Sequence, residues 1–403
     1  MSKDAKNVPA LRFKGYSNAW EKRKLGELAK VRTGKAFKSS SFSPNGKYYV
    51  VTNKDIGGPQ ISTHMDGDRI DITNPVDIAK YSLSGRNLLV TMDGVNIGKT
   101  AMYSNEDAVL AQRVGRLTSS SLDFVHQITS QKNFLTRMNE LSVGNAIKHI
   151  SLKQISDYAV NVPQQTSERQ LIGQTLSLLD NLIAATQRRI NALEEIKEAS
   201  SQYLFVQEWN FRGYSSPWKQ VKLGEIADII GGGTPKTDEP KFWNGEIDWY
   251  APAEIGSNRY VSGSVRTITS VGLNKSSASI LPANRTILFT SRAGIGNAAI
   301  LKKDAATNQG FQSLVLKDGV DVYFMYSKIP EIKQKAIRIA AGSTFLEISG
   351  KKLSQIALLV PELNEQQRIG AFFKKLDDLI AANHSKVSRL NLLKRFLLQG
   401  LFI

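Results

Sequence analysis

The most regular pattern in the chain is a hydrophobic repeat that runs from Glu168 to about Phe205. Mostly apolar residues recur at spacings of four and three, with Arg, Lys, Glu and Gln between them. This seam is typical of a coiled coil, and roughly 38 residues at 1.5 Å rise predict a rod of about 57 Å. A second seam follows 197 positions later, so we expect the two helices to pack together, antiparallel. The seam positions are Ile172, Leu176, Leu179, Ile183, Thr186, Ile190 and Leu193, then Ile369, Phe373, Leu376, Ile380, Asn383, Val387 and Leu390.

The repeat extends into the segments that precede each helix. Phe13-Lys-Gly-Tyr-Ser-Asn-Ala-Trp20 returns as Phe211-Arg-Gly-Tyr-Ser-Ser-Pro-Trp218, and each is followed by Lys-Leu-Gly-Glu. Between these frames and the helices the copies diverge, apart from islands such as Ile150-Ser151 and Ile348-Ser349. A period near 198 residues is far longer than that of a solenoid repeat. It therefore indicates duplication of a whole domain with its helix.

Each globular part mixes strand and helix patterns. Short β-rich runs such as 48–52, 87–91 and 285–290 are separated by Gly, Asn, Ser and Asp, whereas 123–142 and 322–341 have helical patterns. Thr166 and Asn364 are predicted helix N-caps, each followed by a first-turn acid. We expect an α+β fold with a pseudo-two-fold internal repeat, divided into globular domains 1–165 and 209–362 and long helices 166–208 and 363–403.

Composition restricts the class of partner. Lys and Arg number 53 against 36 Asp and Glu, a net charge of +17, which points to nucleic acid or an acidic membrane surface; a basic surface that serves only solubility is the alternative. The absence of cysteine fits a reducing compartment. With no apolar run of membrane-spanning length and no signal-peptide pattern, we expect a cytoplasmic protein.

Motifs for catalysis fail on spacing or context. Gly94 and Gly98-Lys99-Thr100 have three residues between the glycines, where a P-loop needs four. The four histidines (His64, His126, His149 and His384) have no partner at metal-ligand spacing. Glu194-Glu-Ile-Lys197 lies within the first rod, where charge pairs are ordinary. The sequence therefore predicts a binding protein that is not an enzyme and holds no metal.

The divergent interiors carry polar and basic residues near predicted turns. Taken singly, each is an ordinary solvated loop residue. As a set, in so basic a chain, they indicate DNA contact, because Arg and Lys pair with guanine edges and Asn and Gln with adenine. The candidates are Lys35, Lys38, Asn53, Lys54, Arg86, Lys99, Gln112, Arg113, Thr234, Lys236, Asn274, Lys275, Ser291, Arg292, Asn308 and Gln309.

The chain resembles the specificity (S) subunits of type I restriction–modification systems over nearly its full length. The resemblance is carried by the two Trp…Lys-Leu-Gly-Glu starts, Gly232-Gly-Thr-Pro235, Phe242-Trp-Asn-Gly-Glu-Ile-Asp-Trp249, Leu281-Pro282, Asn308-Gln-Gly310 and the run from Val360-Pro361 to Ile380. The first half departs from the pattern, since it lacks the Gly-Thr-Pro and Trp-Asn-Gly stretches.

The resemblance implies that each globular half is a target recognition domain for one part of a split, asymmetric DNA sequence. The long helices would set the spacing of the half-sites, roughly 34 Å for one helical turn, and dock two methyltransferase (M) subunits. Restriction (R) subunits would complete the complex. S-adenosylmethionine, ATP and Mg would belong to those partners, with no cofactor on this chain.

Two other functions fit parts of the pattern. A stand-alone two-headed DNA-binding regulator would bind its site tightly without a partner. A scaffold that does not bind DNA would show no steep loss of duplex binding with salt. Leu178, Leu182, Phe372 and Leu393 lie off the main seam and could be covered by a partner, which favours the multisubunit reading.

Overall fold

The computed structural model describes residues 7–56, 68–144, 148–214, 216–256, 258–292, 294–341 and 346–402. Two compact units divide the chain: the first comprises Met1–Gln187 with Ser385–Ile403, and the second Arg188–His384. Each unit contains one globular α+β part and one portion of each long helix. These units therefore divide both helices, whereas the sequence prediction separated whole helices from whole domains.

The first unit contains eight strands, five short α-helices and one portion of each long helix among its described residues. In chain order they are β1 (Glu21–Lys24), α1 (Leu25–Leu28), β2 (Lys30–Thr33), β3 (Tyr48–Val51), β4 (Arg69–Ile70), α2 (Pro75–Tyr81), β5 (Ser82–Thr91), β6 (Thr100–Leu110), β7 (Val114–Thr118), α3 (Leu122–Thr129), α4 (Lys132–Leu141), α5 (Leu152–Ser156), β8 (Ala159–Val162), the first part of α6 (Thr166–Phe205) and the last part of α12 (Leu363–Leu401).

The second unit repeats this order with a different interior. Its elements are the last part of α6, then β9 (Lys219–Lys222), α7 (Leu223–Ile226), β10 (Ala227–Gly231), β11 (Trp243–Tyr250), β12 (Tyr260–Val261), β13 (Arg266–Ile268), α8 (Ser270–Asn274), β14 (Thr286–Phe289), β15 (Ala298–Leu301), β16 (Ala305–Thr307), β17 (Gln312–Leu316), α9 (Val322–Ser327), α10 (Ile329–Ile339), α11 (Gly350–Ser354), β18 (Ala357–Val360) and the first part of α12 (Leu363–Leu401).

A two-stranded antiparallel ladder frames each globular part. β1 pairs with β8 in the first unit, and β9 pairs with β18 in the second. Directly after the first strand of each ladder, a one-turn helix begins at Leu25 or Leu223, and both leucines are fully buried. The repeated Lys-Leu-Gly-Glu sequences thus form the same local structure twice.

The sheets inside the two frames differ. The first unit has one six-stranded sheet in the order β2-β7-β5-β6-β3-β4, whereas the second has a five-stranded sheet, β10-β17-β14-β15-β12, and a separate three-stranded sheet, β13-β11-β16. Both units nevertheless contain a parallel pair at the same place, β3 with β6 and β11 with β16. This register matches Val50 of the first unit with Trp249 of the second.

Two predicted helices are each broken into two. Residues 123–142 form α3 and α4, with a break at Ser130, and residues 322–341 form α9 and α10, with a break at Lys328. Pro330 accounts for the second break, because its ring fits only the first turn of a new helix.

The long helices match the predicted seams. Among the predicted seam residues, Ile172, Leu176, Leu179, Thr186, Ile190, Ile369, Phe373, Leu376 and Asn383 are buried, and Ile183, Leu193, Ile380, Val387 and Leu390 are half-buried. The helices begin at Thr166 and Leu363. Thr166 and Asn364 are therefore helical residues rather than N-caps, a shift within the usual spread at helix ends.

Within each unit, an ion pair joins the two long helices. Lys394 Nζ lies 2.5 Å from Asp180 Oδ1 in the first unit, and Lys197 Nζ lies 2.7 Å from Asp377 Oδ1 in the second. The two ion pairs occupy equivalent positions of the repeat. Each acid also accepts a hydrogen bond from its globular part, Asp180 from Gln127 and Asp377 from Tyr323.

An aromatic cluster covers one end of the helix pair in each unit. Trp20, Phe124 and Phe402 pack together in the first unit, and Trp218, Phe324 and Phe205 in the second. The second cluster also contains Lys328, whose Nζ lies 4.8 Å from the Phe205 ring centroid. The equivalent position in the first unit is Ile128, which is buried in the same cluster.

The first-turn acids of the helices are both buried but have different partners. Glu168 forms two hydrogen bonds with the guanidinium of Arg12, at 2.8 and 3.0 Å. Glu365 instead accepts a hydrogen bond of 3.3 Å from Trp218 Nε1, and burial raises its pKa above the ordinary glutamate value. In the described part of the chain, no helix has both the length and the apolar character required to cross a membrane.

Candidate nucleic-acid interface

Several strands of the first sheet end at one edge, and short backbone bonds hold their loops together. Lys35 N donates to Leu110 O at 3.1 Å, and Gln112 N donates to Lys35 O at 2.9 Å. Met92 N donates to Arg113 O at 3.1 Å. The loops that follow β2, β5 and β6 are therefore neighbours, although they are far apart in sequence.

A guanidinium is held in place on this edge by a carboxylate. Arg113 has a φ of 72°, which non-glycine residues rarely adopt, and its Nη1 lies 3.0 Å from Asp93 Oδ2. The Asp93 side chain is mostly buried and accepts a second hydrogen bond from Asn53 Nδ2. Arg113 itself is largely exposed, so it presents an oriented cation to the solvent. We call Lys35, Asn53, Asp93, Gln112 and Arg113 the first edge.

The second unit has the same edge with other side chains. Gly233 N donates to Thr307 O at 2.8 Å, and Ser291 N donates to Gly310 O at 2.8 Å. The Thr234 hydroxyl donates to Gln309 Oε1, and Asn308 Oδ1 accepts from Gly310 N at 2.8 Å. We call Thr234, Lys236, Arg292, Asn308 and Gln309 the second edge.

Close backbone approach explains one glycine of the second edge. A Cβ atom on Gly232 would lie 2.1 Å from Asn308 O and 2.3 Å from Thr307 O, whereas real Cβ atoms essentially never come within 3.0 Å of such neighbours. Gly34 of the first unit is in the same situation, with a hypothetical Cβ 2.0 Å from Leu110 O. Both loops are therefore fixed against the neighbouring strand at the same point.

The arginine of the first edge and that of the second lie at different positions of the repeat. By their backbone contacts, Asp93 and Arg113 of the first edge correspond to Arg292 and Gly310 of the second. A guanidinium thus follows β6 in the first unit and β14 in the second. Because hydrogen-bond donors then project from different loops, the two edges present different patterns to a ligand.

Some predicted residues do not belong to these edges. Arg86 lies toward the other end of β5 and forms a bidentate ion pair with Asp123. Ser291 is fully buried, so its side chain is not available for contact. Lys35 belongs to the first edge, but its Nζ lies 2.6 Å from Asp77 Oδ2. The remaining predicted residues, Lys38, Lys54, Lys99, Asn274 and Lys275, are exposed on adjacent turns and helix ends.

The sequence prediction did not include Asp93, which orients Arg113. A carboxylate is an unexpected component of a DNA-facing surface, and its role depends on a contact with a residue 20 positions away. One sequence signal could have identified Asp93: it closely follows β5, at the position of the repeat that Arg292 occupies in the second unit. Of the four histidines, His149 lines the cleft beside Arg113, His126 is half-buried, with desolvation lowering its pKa, and His64 lies outside the described residues. The described residues contain no group of three or more His, Cys, Asp or Glu side chains suited to a metal ion.

The outer faces of the long helices expose apolar side chains. In the first unit these are Leu178, Leu182, Leu392, Leu393 and Phe396, which we call the outer helix patch. Ile196, the repeat equivalent of Leu393, is exposed in the second unit. Phe372, which the sequence analysis grouped with exposed residues, is half-buried against Phe211, with ring centroids 5.7 Å apart.

Comparisons with known proteins agree with the repeat. The family model for the type I restriction modification DNA specificity domain matches twice, at residues 18–195 and 215–392. The chain is 36% identical over 167 residues to the type I restriction enzyme MjaIX specificity subunit of Methanocaldococcus jannaschii, covering 40% of this chain and 38% of that protein. It is 30% identical over 240 residues to the EcoR124I/EcoR124II specificity subunit of Escherichia coli, covering 58% of each.

The matches to these two relatives span less than two thirds of their lengths. A solved structure, the type I restriction–modification S subunit of M. genitalium, superposes with a TM-score of 0.65 at 19% identity, over 98% of this chain and 99% of that one. This likeness shows a shared fold. With both halves matched by the family model, the chain belongs to the type I restriction–modification DNA specificity family.

Proposed function

We propose that this chain is the specificity subunit of a type I restriction–modification enzyme and that each edge reads one part of a split DNA sequence. The observation that carries the proposal is the duplicated edge, in which equivalent backbone contacts hold different polar side chains. A scaffold of this kind explains how one fold can present two unrelated recognition surfaces. Because the two surfaces differ, the DNA target is asymmetric.

The chemistry of the edges suits base and phosphate contacts. Arg113 and Arg292 can each donate two parallel hydrogen bonds to guanine, and Gln112, Asn308 and Gln309 can pair with adenine. The net charge of +17 adds attraction to phosphates that is independent of sequence. Affinity of the assembled complex for duplex DNA should therefore fall steeply with salt.

Catalysis is assigned to partner subunits. Methyl transfer from S-adenosylmethionine to adenine belongs to two M subunits, and cleavage, which uses ATP and Mg, to R subunits. The names of the relatives, which describe them as specificity subunits of restriction enzymes, support this division. The chain itself contributes DNA recognition and a docking surface.

The outer helix patch is the proposed docking surface for a methyltransferase subunit. Leu393 is 44% exposed and Phe396 57% exposed, and clusters of exposed apolar side chains mark protein contacts. We expect Leu393→Glu to reduce recovery of the co-expressed methyltransferase with the tagged chain. Val76→Glu, which changes an aliphatic residue that is 70% exposed on α2, is the matched control. Equal recovery from both variants would remove the patch as a docking surface.

The direct test is to co-express the chain with the methyltransferase encoded beside it in an unmethylated host and map modified adenines by single-molecule sequencing. We expect a split, asymmetric motif with one modified adenine in each half. A soluble complex that produces no new methylation would refute the proposed function.

The helix pair is proposed to set the distance between the half-sites. Equal insertions of seven residues between Asp180 and Lys197 and between Asp377 and Lys394 preserve the seam and both ion pairs. Seven residues add about 10 Å at 1.5 Å each, so we expect the unread spacer to widen by about three base pairs. The mapped motif should keep both half-sites, and altered half-sites with an unchanged spacer would contradict the idea. A seven-residue insertion in one helix alone is the control, because it misaligns one ion pair.

A further inference from the structure

Two buried tryptophans hold one loop of the second edge. Trp249 Nε1 donates to Gly233 O at 2.8 Å, and Trp243 Nε1 donates to Lys236 O at 3.0 Å. The two rings meet edge to face, with centroids 5.1 Å apart. The bonds therefore fasten the loop on both sides of Thr234, the residue that contacts Gln309. We call these two hydrogen bonds the indole clamp.

The loop needs an external restraint because of its sequence. Gly231, Gly232 and Gly233 are consecutive, and glycine has more backbone freedom than any other residue. Besides the clamp, two hydrogen bonds hold this segment to the neighbouring loop: Gly233 N donates to Thr307 O, and the Thr234 hydroxyl donates to Gln309 Oε1. A restraint on both sides of Thr234 turns a flexible segment into a surface of defined geometry.

The clamp is itself supported from outside. The guanidinium of Arg266 lies 3.6 Å from the centroid of the Trp243 ring and 5.7 Å from that of Trp249. Both indoles are at least nine-tenths buried, in a cluster with Phe242 and Ile268. The bond from Trp249 to Gly233 is buried, so it is made in a low-dielectric setting where its loss is costly. The bond from Trp243 to Lys236 is partly buried.

Among the described residues of the first unit, the position equivalent to Trp249 carries no indole. Sheet register matches Trp249 with Val50, whose side chain has no hydrogen-bond donor. The corresponding loop is held by the ion pair between Lys35 and Asp77, at 2.6 Å. Removal of the clamp should therefore affect one half of the molecule and leave the other as an internal reference.

We propose that Trp243 and Trp249 are specificity-determining positioning residues for the second edge. They make Thr234, Gln309 and Lys236 a rigid recognition surface without touching DNA themselves. The inference rests on the proposed function. Loosening the clamp lets the loop accommodate incorrect bases, so base discrimination falls in the second half-site before binding is lost.

The test uses the complex of the full chain with its methyltransferase, with methylated sites mapped by sequencing. Trp249→Phe keeps the ring and removes one N–H donor, and Trp243→Phe does the same at the other side. We expect each to relax base preference at one or more positions of the second half-site by about tenfold, the effect of one buried hydrogen bond. Base preference in the first half-site should be unchanged.

Trp218→Phe is the matched control. It also removes a buried indole bond from the second unit, the one to Glu365, but it lies away from the edge. Wild-type preference in both half-sites is expected. If Trp218→Phe relaxes the second half-site as much as Trp249→Phe, general loosening of the unit explains the result and the clamp is refuted.

Other outcomes separate this inference from the proposed function. Wild-type preference in both clamp variants refutes the clamp while the function stands. Absence of any motif for the wild-type complex refutes the function itself. If Trp249→Phe reduces all methylation, base preference is compared between the two half-sites of the positions that remain modified. Relaxed preference in the second half-site alone supports the clamp, and equal relaxation in both half-sites refutes it. The Trp243→Phe variant provides an independent measurement.

Discussion

The two units build the same junctions and edges with different chemistry. At the helix end, an aromatic cluster encloses Ile128 in the first unit and Lys328 in the second, and the first-turn acid pairs with Arg12 in one and with Trp218 in the other. At the edges, the first loop is fixed by an ion pair and the second by two indole groups. The backbone contacts that hold the loops of the two edges are equivalent, although the sheets behind them differ. The fold therefore constrains where groups are placed, while their polarity is free to diverge if each buried polar group keeps a partner.

Exchanging the buried residue of the aromatic clusters should have the largest effect on stability. Ile128→Lys places a cation in the first cluster without an acidic partner. In the second unit Glu331 pairs with Lys328, but the equivalent residue of the first unit is Gln131. We expect the free energy of unfolding to fall by about 3 to 5 kcal/mol, the cost of an uncompensated buried charge. Denaturant unfolding of the purified chain measures it, and a loss below about 1 kcal/mol would show that the clusters are interchangeable.

The reverse change, Lys328→Ile, should be mild. Glu331 keeps a second partner in Lys335, at 2.7 Å, so no charge is left unpaired. Burial lowers the pKa of Lys328 below its ordinary value of 10.5, so the folded chain binds this proton more weakly than the unfolded chain. The contribution of Lys328 to the free energy of unfolding of the wild type therefore rises with pH, up to the ordinary pKa of lysine. If Lys328→Ile is more stable than the wild type, the difference in free energy of unfolding should shrink as pH rises over the same window.

Removing the guanidinium of each edge should separate the half-sites. Arg113→Ala is expected to relax only the first half-site and Arg292→Ala only the second, each by about 1 to 3 kcal/mol of discrimination at one base pair. Mapped methylation of the assembled complex gives both values at once. Arg86→Ala is the control, since Arg86 pairs with Asp123 away from the edge. Relaxation of both half-sites by one substitution would contradict separate reading.

Neutralising the two first-turn acids should change stability in opposite directions: Glu168→Gln should destabilise the chain at neutral pH, and Glu365→Gln should stabilise it. Glu168→Gln removes the charge that balances Arg12, and we expect a loss of about 1 to 3 kcal/mol at neutral pH. Burial raises the pKa of Glu365, with Glu362 adding to the rise and Trp218 opposing it. Its folded form thus holds the proton more tightly than the unfolded chain, and stability falls as pH rises above the ordinary glutamate range.

Glu365→Gln removes that fall while its side-chain oxygen still accepts from Trp218. The variant should match wild type near pH 4 and exceed it at pH 7 by less than about 1 kcal/mol. Melting temperatures of wild type and Glu365→Gln at pH 4 and pH 7 check both expectations. A lower melting temperature for Glu365→Gln at pH 7 would mean that the carboxylate is ionised and stabilising.

The parts of the molecule with long periodicity were predictable from sequence. The seams of α6 and α12 repeat over many turns, so burial at Ile172 or Phe373 follows from spacing alone. The break at Ser130 was not predictable in the same way, because α3 and α4 are both apolar enough to continue one pattern. Local signals therefore identified the elements but not every boundary.

At the two edges, the sequence alone does not tell which polar residues are free for contact. Arg113 and Gln309 were selected because polar residues at turns suggest contact, and the structure places both at the edges. The same reasoning selected Arg86, which a carboxylate holds elsewhere, and Ser291, which is buried. Whether a polar residue is free depends on partners distant in sequence, such as Asp123. The hydrogen bond from Trp249 to Gly233 joins residues 16 positions apart through a tertiary fold that no local pattern encodes.

The ladders β1–β8 and β9–β18 have a consequence for inheritance. Each begins beside a nearly identical stretch, Phe-x-Gly-Tyr-Ser followed by Lys-Leu-Gly-Glu, and each encloses a complete set of edge loops. A genetic exchange with crossovers in these stretches and in the helices would transfer a whole set of edge loops across two joints whose backbone contacts are already matched. Under the proposed function, such an exchange would replace one reading surface in a single event, without passing through a misfolded intermediate sequence.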